Sequence, residues 1–358
     1  MVAKNIIQKF VLFLLFFIPF QGFSSDANKD KEEAFDPVSM IMHHISNSHE
    51  FHITDFQGKS ISMPLPVILW TDNGLVTFMS SEFHHDNDGK VVVEKKGMKF
   101  ARFHEVIHYT NPDGSLSFDK DGHVTNTRPL NFSITKNVFS MILVSILLLA
   151  IFIPMAKSYK KNPKAPKGMA GFLEPLVLFV RDDIAIPQIG EEKYARYMPY
   201  LLTIFFLIWF GNLFGLIPFF PFASTLTNDI LFTGFLAIIT FFVTVFSSNK
   251  NYWKHIFATP GVPFWLLPIM IPVEILGMFT KPFALMVRLF ANITAGHIII
   301  LSLISLIFIF KTVWVSPVSI AFALFINVLE LLVAALQAYV FTLLSALFIG
   351  QAVEEHHH

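Results

Sequence analysis

Arg288 is the residue whose chemistry most needs a reason. It stands in Phe283-Ala-Leu-Met-Val-Arg-Leu-Phe-Ala-Asn-Ile-Thr-Ala-Gly-His297, and the apolar run Ile298 to Phe310 follows at once. A guanidinium keeps its proton in any protein setting. Holding one at bilayer depth costs at least about 2.5–3.5 kcal/mol on insertion scales. A static bridge to Glu274 does not relieve that cost, because the two lie about 21 Å apart on one helix. Fixed charge at such depth marks an ion path, a proton relay or a counter-ion.

Helical arithmetic arranges the other polar residues around it. Glu274, Lys281 and Arg288 recur every seven positions, so each drifts by only about 20° from the last. Asn292 lies one turn beyond Arg288 on the same side. His297 falls on the opposite face, about 13 Å further along the axis. In the last apolar segment Asn327, Glu330 and Gln337 share a stripe at spacings of three and seven. If the two segments pack as an antiparallel hairpin, His297 and Glu330 fall at similar depth, where such a pair can relay a proton. The plain reading of Asn327 and Thr294 is interhelical hydrogen bonding, and a lone His or Glu can be half of a structural pair.

These residues sit in a chain built for lipid. Of 358 residues 54% are hydrophobic, 42 are Phe and only 15% are charged, against about 25% charged in a soluble domain. The 26 basic and 26 acidic residues balance, so net charge gives no footprint for nucleic acid. The lack of cysteine removes disulfides, thiolate metal sites and thiol catalysis. No Gly-x-x-x-x-Gly-Lys-Ser/Thr loop occurs, so no nucleotide site is expected. No cofactor or resident metal is expected either.

The spans follow from length and from the placement of Lys and Arg. Lys4 and Lys9 with the apolar run Phe10 to Phe20, then Gly22 and Ser24, predict a cleaved signal peptide over 1–24; the alternative is an uncleaved anchor, for which 11 apolar residues are short. Residues 25–132 hold nine of the 14 histidines and turn signals at Asp72-Asn-Gly74, Asn87-Asp-Gly89 and Asn111-Pro-Asp-Gly114. Val91 to Val93, Lys99 to Phe103 and Ser115 to Phe118 are predicted strands of a small β-rich domain outside the membrane. The membrane domain is expected over 133–358. Phe139 to Met155 is the first span, and Lys157, Lys160, Lys161, Lys164 and Lys167 put the next loop on the cytoplasmic side. Residues 170–190, with Glu174, Arg181, Asp182 and Asp183, read as an amphipathic helix on the membrane surface. Tyr200 to Phe220, ended by Pro218 and Pro221, is the second span. Ser224 to Asp229 carries no Lys or Arg and is placed outside. Ile230 to Phe246 returns to Lys250 and Lys254. Two long apolar segments close the chain, 264–310 and 317–350, the first bent at Pro268, Pro272 and Pro282. Both exceed the ~20 residues of a perpendicular span, so strongly tilted helices are expected. Glu355 and His356 to His358 end the chain in the cytoplasm. The expected fold is an all-α polytopic membrane protein with about five spans and one surface helix, preceded by the small β-rich extension.

The residues from Lys281 to His297, with Glu330-Leu-Leu-Val-Ala-Ala-Leu-Gln337 downstream and Asn212-Leu-Phe-Gly-Leu-Ile-Pro218 earlier, resemble the a-subunit family of F-type ATP synthases. The resemblance covers roughly 135–355. Ala291 stands where the family often has Gly, and the His and Glu occupy one of two interchanged arrangements known in the family. The long extension is outside the general pattern, although some bacterial lineages carry one. The resemblance implies the stator side of a rotary proton path in the bacterial inner membrane. Its partners would be the c-subunit ring, b-type peripheral stalk subunits, the remaining synthase subunits and the lipid bilayer. Two half-channels would be separated by Arg288, with His297, Glu330, Asn292, Gln337 and Glu274 along them. Any ATP chemistry would reside in partners, so the chain itself is not expected to catalyse.

Two other classes compete. A stand-alone ion-coupled transporter or channel would ordinarily show internal repeats or paired broken helices, and no convincing repeat is present. An extension devoted to metal binding or sensing is the third reading. His104 and His108 are chelating neighbours only on a helix, whereas that stretch reads as strand, and His43-His44 and His84-His85 are adjacent pairs with poor chelate spacing.

Overall fold

The computed structural model describes residues 37–38, 41, 46–56, 59–161, 168–217, 224–257, 263–310 and 313–354. The expected signal peptide, His43-His44, Lys164, Lys167, Pro218, Pro221, Glu355 and His356 to His358 lie outside these described residues.

The extension is built of eight described strands: β1 (Glu50–Phe56), β2 (Lys59–Pro64), β3 (Pro66–Thr71), β4 (Gly74–Met79), β5 (Asp88–Lys95), β6 (Met98–Phe103), β7 (Val106–Tyr109) and β8 (Leu130–Asn131). They form antiparallel sheets in the orders β1-β2, β4-β3-β8 and β5-β6-β7. Asp72-Asn73 is the two-residue loop of the β3–β4 hairpin. Lys96 and Gly97, with φ of 50° and 74°, turn β5 into β6, and left-handed backbone at both central positions matches strand twist. Val67, Leu69, Val76, Phe78, Phe83, Val93, Phe100 and Ile107 meet as the core. Ser115 to Phe118, expected as a strand, is not one. It makes only an isolated bridge from Phe118 to Val124. Its backbone N–H groups go to side chains instead: Ser115 N to Asp113 Oδ1 (3.0 Å) and Ser117 N to Asn126 Oδ1 (2.7 Å). Such local bonds compete with a ladder.

A charged cluster lies within this domain. Arg102 is 2% exposed; its Nε donates to Asp86 O (2.9 Å) and its Nη1 lies 3.0 Å from Glu50 Oε1. Glu105 Oε2 accepts from His49 N (3.1 Å). Burial, the largest influence, pushes the Glu105 carboxyl up, yet the His49 hydrogen bonds and the Arg102 charge outweigh it and hold it below its ordinary value. Burial likewise lowers His108, which sits on strand β7 facing Asn126 O.

The membrane domain comprises α1 (Lys136–Lys161), α2 (Met169–Phe179), a π-helical turn (Val180–Ala185), α3 (Ile186–Ile189), α4 (Tyr194–Gly215), α5 (Ile230–Ser247), α6 (Lys250–Phe257), α7 (Leu267–Phe310) and α8 (Ser316–Val353). Five of these, α1, α4, α5, α7 and α8, are long and apolar enough to cross a membrane. The second span is shifted from its expected bounds, starting at Tyr194 and ending at Gly215. Its end fits a chain that must leave helical geometry before Pro218, since proline disfavours α backbone in the residue before it. The Lys250–Lys254 stretch, to which the third span returns, belongs to the short helix α6. Helix α7 stays continuous through Pro272 and Pro282. At 44 and 38 residues, α7 and α8 run about 66 and 57 Å, twice the ~30 Å hydrocarbon core.

The surface segment earns its place by amphipathicity. Leu173, Val180, Ile184 and Ile189 are buried in one core with Leu201, Ile208, Phe341 and Ile349, while Asp182 and Asp183 are exposed. The helices also hold the extension. Lys136 N donates to Ser48 O (2.9 Å) and Ile134 N to Pro66 O (3.0 Å). Asp229, which caps α5 by accepting from Leu231 N (2.9 Å), accepts from Asn47 Nδ2 (3.0 Å) and Asn137 Nδ2 (3.2 Å).

Two outcomes follow. Two of the depressed groups in the extension, His108 and Glu105, favour folding fully above their unfolded values of 6.5 and 4.5, and that contribution is lost as pH falls through the lower folded ones. Protease resistance of the extension in the full chain should therefore decline from below pH 6.5 and drop further below 4.5. A Cβ at Gly350 would overlap the Gln188 carbonyl, a backbone atom that cannot step aside. Gly350→Ala should destabilise the domain by about 1–3 kcal/mol or more, read as a lower thermal midpoint in detergent.

Candidate intramembrane ion site

The last two spans pack antiparallel, with His297 against Glu330 near one end and Lys281 Nζ on Gln351 Oε1 (3.0 Å) near the other. This hairpin sets the site. On α7, Leu285, Leu289 and Ile293 are buried, so residues one position away along the wheel face outward. Arg288 is among them. With Ala284, Ala291, Asn292 and Ala295 it forms an exposed stripe, and among the described residues it makes no hydrogen bond or ion pair. Three alanines beside a guanidinium leave room for another helix to approach closely.

His297 points elsewhere, as its spacing from Arg288 requires. Its Nδ1 hydrogen-bonds Glu330 Oε1. Glu330 is buried, and its Oε2 has no hydrogen-bond partner among the described residues. Gly296 makes this approach feasible: a Cβ there would stand 3.0 Å from Glu330 Oε1 and 3.1 Å from Cδ. A buried carboxyl with one oxygen on an imidazole and the other free can hold a proton and pass it on.

The polar stripe expected on the last helix divides. Glu330 and Gln337 are buried, but Asn327 is exposed. Three helical steps leave a residual rotation of about 60°, which turns Asn327 out of the hairpin. Gln337 lies about 10 Å from Glu330 along α8, and Arg288 about 13 Å from His297 along α7 in the same direction. Gln337, Arg288 and Asn292 therefore sit within about a turn or so of one another in depth. Glu274 is half-buried near the other end of α7; burial first, and then its charge, raise the phenol of Tyr252 on α6. Lys281 leaves the Arg288 stripe by reaching over to Gln351 and the Phe348 ring, 5.4 Å from its centroid.

Two pairs were less legible. Thr294, one turn before His297, donates to Asn228 Oδ1 (2.6 Å), and Thr227 donates to Asn212 Oδ1 (2.5 Å). Asn212 Nδ2 is buried without a hydrogen-bond partner among the described residues. These join α7 and α4 to the turn that precedes α5. Their only sequence signal is a polar residue in an apolar run, which does not name its partner. Among the described residues, no three His, Asp or Glu side chains gather as a metal site.

Residues 138–350 match the family described as ATP synthase A chain, and residues 40–132 match a domain of unknown function (DUF8433). The chain is 51% identical over 265 residues to the ATP synthase subunit a of Chloroherpeton thalassium, covering 71% of this chain and 78% of that one. It is 45% identical over 295 residues to the ATP synthase subunit a of an Anaeromyxobacter species, covering 77% and 70%. With the Myxococcus xanthus ATP synthase subunit a it shares 47% over 235 residues, 64% and 76% of the two chains.

The Gly296 contact has a measurable consequence. Gly296→Ala should cost about 1–3 kcal/mol by overpacking in the native background, and much less once Glu330→Ala has removed the obstructing carboxyl. A double-mutant cycle of detergent unfolding reads that coupling; equal cost in both backgrounds would refute the packing assignment.

Proposed function

Because the chain belongs to the ATP synthase A chain family, we propose that Arg288 is the fixed cation separating two proton half-channels that open on the c-ring from opposite sides. The observation that carries this is the outward-facing guanidinium, unpaired among the described residues, on a stripe of alanines, half a turn of the wheel away from half-buried His297 and its partner, buried Glu330.

Each c subunit carries a membrane carboxyl, neutral while it faces lipid. As it passes Arg288, the opposite charge lowers its pKa and favours release of its proton. The same fixed cation repels a proton trying to cross directly between half-channels. His297 and Glu330 exchange protons in the half-channel that opens on the extension side, reached past Asn228 and Thr294. Gln337 and Asn292 lie between that pair and the arginine. Glu274, towards the basic loops, lines the opposite half-channel. The extension faces the extracytoplasmic side, the C-terminus is cytoplasmic, and b-type stalk subunits hold the chain against rotation in the bacterial inner membrane. The long α7 and α8 follow the curved ring.

The test is Arg288→Ala in inverted vesicles, with assembly checked by immunoblot. The complex should assemble, ATP-driven proton uptake should be lost, and passive leak should rise. Near-normal pumping by an assembled complex would make Arg288 structural.

A further inference from the structure

The β4-β3-β8 sheet is apolar on both faces. One face sends Val67, Leu69, Val76 and Phe78 into the core of the extension. Register places Trp70 opposite both Leu75 and Leu130 on the other face. By alternation Thr77, Met79 and Phe132 lie on that face too, Phe132 N donating to Ile68 O (2.8 Å). Trp70 is 56% exposed, Leu130 65% and Phe132 64%. Thr77 is the one polar residue of these six, and none is charged. A solvated antiparallel face ordinarily alternates to polar residues, and a continuous apolar one marks a contact surface.

Covalent geometry narrows what covers it. Strand β8 runs straight into the first membrane span. Four residue steps lead from Phe132 to Lys136, a reach of at most about 14 Å, and Leu130 lies within about 22 Å. Beyond Lys136 the same strip of chain presents Ile142, Ile146, Leu149 and Ile153 outward, the side chains that lipid covers. The extension is also clamped to the helix ends through Ser48, Pro66 and Asn47, so the sheet is held beside the membrane surface. Trp is enriched at that interface, and Trp, Phe and Leu form the face that interfacial segments bury at the headgroup boundary.

We propose that this face beds in the headgroup layer of the leaflet beside it, with Trp70, Leu130 and Phe132 as anchors. The extension is then a monotopic attachment as well as a soluble domain, and its apolar surface continues that of the first span. The proposal rests on the membrane-spanning architecture and is independent of the role given to Arg288.

The chain has no cysteine, so single substitutions give unique labelling sites. Thr77→Cys is nearly isosteric, and Leu130→Cys and Phe132→Cys alter exposed positions. Each is spin-labelled on the purified full chain, which is then reassembled with the other subunits in phosphatidylethanolamine–phosphatidylglycerol vesicles. Collision with oxygen, which concentrates in lipid, is compared with collision with an aqueous nickel chelate. Ile146→Cys is the lipid reference, and Lys120→Cys, in an exposed turn, the water reference. The face should favour oxygen over nickel several-fold relative to Lys120→Cys, approaching the value at Ile146→Cys. Nickel access equal to that at Lys120→Cys overturns the proposal. So does shielding from both reagents, which means a protein surface covers the face.

Discussion

A charge inside hydrocarbon must either be paired within the protein or be turned toward a partner that supplies the opposite charge, and the last two helices are arranged around that choice. The carboxyl of Glu330 is buried and takes His297 as its partner. Arg288 is turned out. Both conditions need an antiparallel hairpin in one particular register. Gly296 lets the two helices come close enough at Glu330, and Lys281 bonding Gln351 fixes the other end of the register. The buried contacts of Leu285, Leu289 and Ile293 set the rotation of α7. Shift that rotation by one residue and Arg288 would enter the core, where an unpaired ion costs several kcal/mol.

The extension is joined to this apparatus by directional bonds. Asn47 and Asn137 converge on Asp229, the residue that caps α5. Asn228, its neighbour, accepts from Thr294 on α7. The connection therefore runs from the extension to within one turn of His297 through named hydrogen bonds. Within the extension, buried Arg102 lies beside the carboxylates of Glu50 and Glu105.

Legibility in the sequence followed the physical origin of each feature. Membrane spans were readable because hydrocarbon demands long apolar runs, and the opposed directions of Arg288 and His297 because helical rotation is fixed by backbone geometry. The turn at Asp72-Asn73 was readable from turn chemistry, although the two strands it joins were not read. Ser115 to Phe118 misled, since alternation alone does not reveal that Asp113 and Asn126 will capture the strand's N–H groups. Asn327 was grouped with Glu330 because a spacing of three is a near neighbour on a wheel; whether 60° matters depends on where the partner helix stops. The bonds from Asn228 to Thr294 and from Asp229 to Asn47 join residues far apart in sequence, and periodicity carries no information about such pairs.

The separation of Arg288 from Glu330 is itself a functional requirement under the proposed role. An arginine that bonded Glu330 directly would form a buried pair, and a guanidinium bonded in place has no charge left to offer an outside carboxyl. Half a turn of the wheel and about 13 Å of helix keep the two apart, with His297 occupying Glu330 instead. The imidazole thus does two things at once. It satisfies one oxygen of a buried carboxyl without using up the fixed cation, and it does so with a group that can give its proton away. A lysine at position 297 would hold the carboxylate more strongly as a compact point charge, but with an ordinary pKa near 10.4 it would release a proton far less readily than an imidazole. A pair that must load and unload a proton needs the weaker partner.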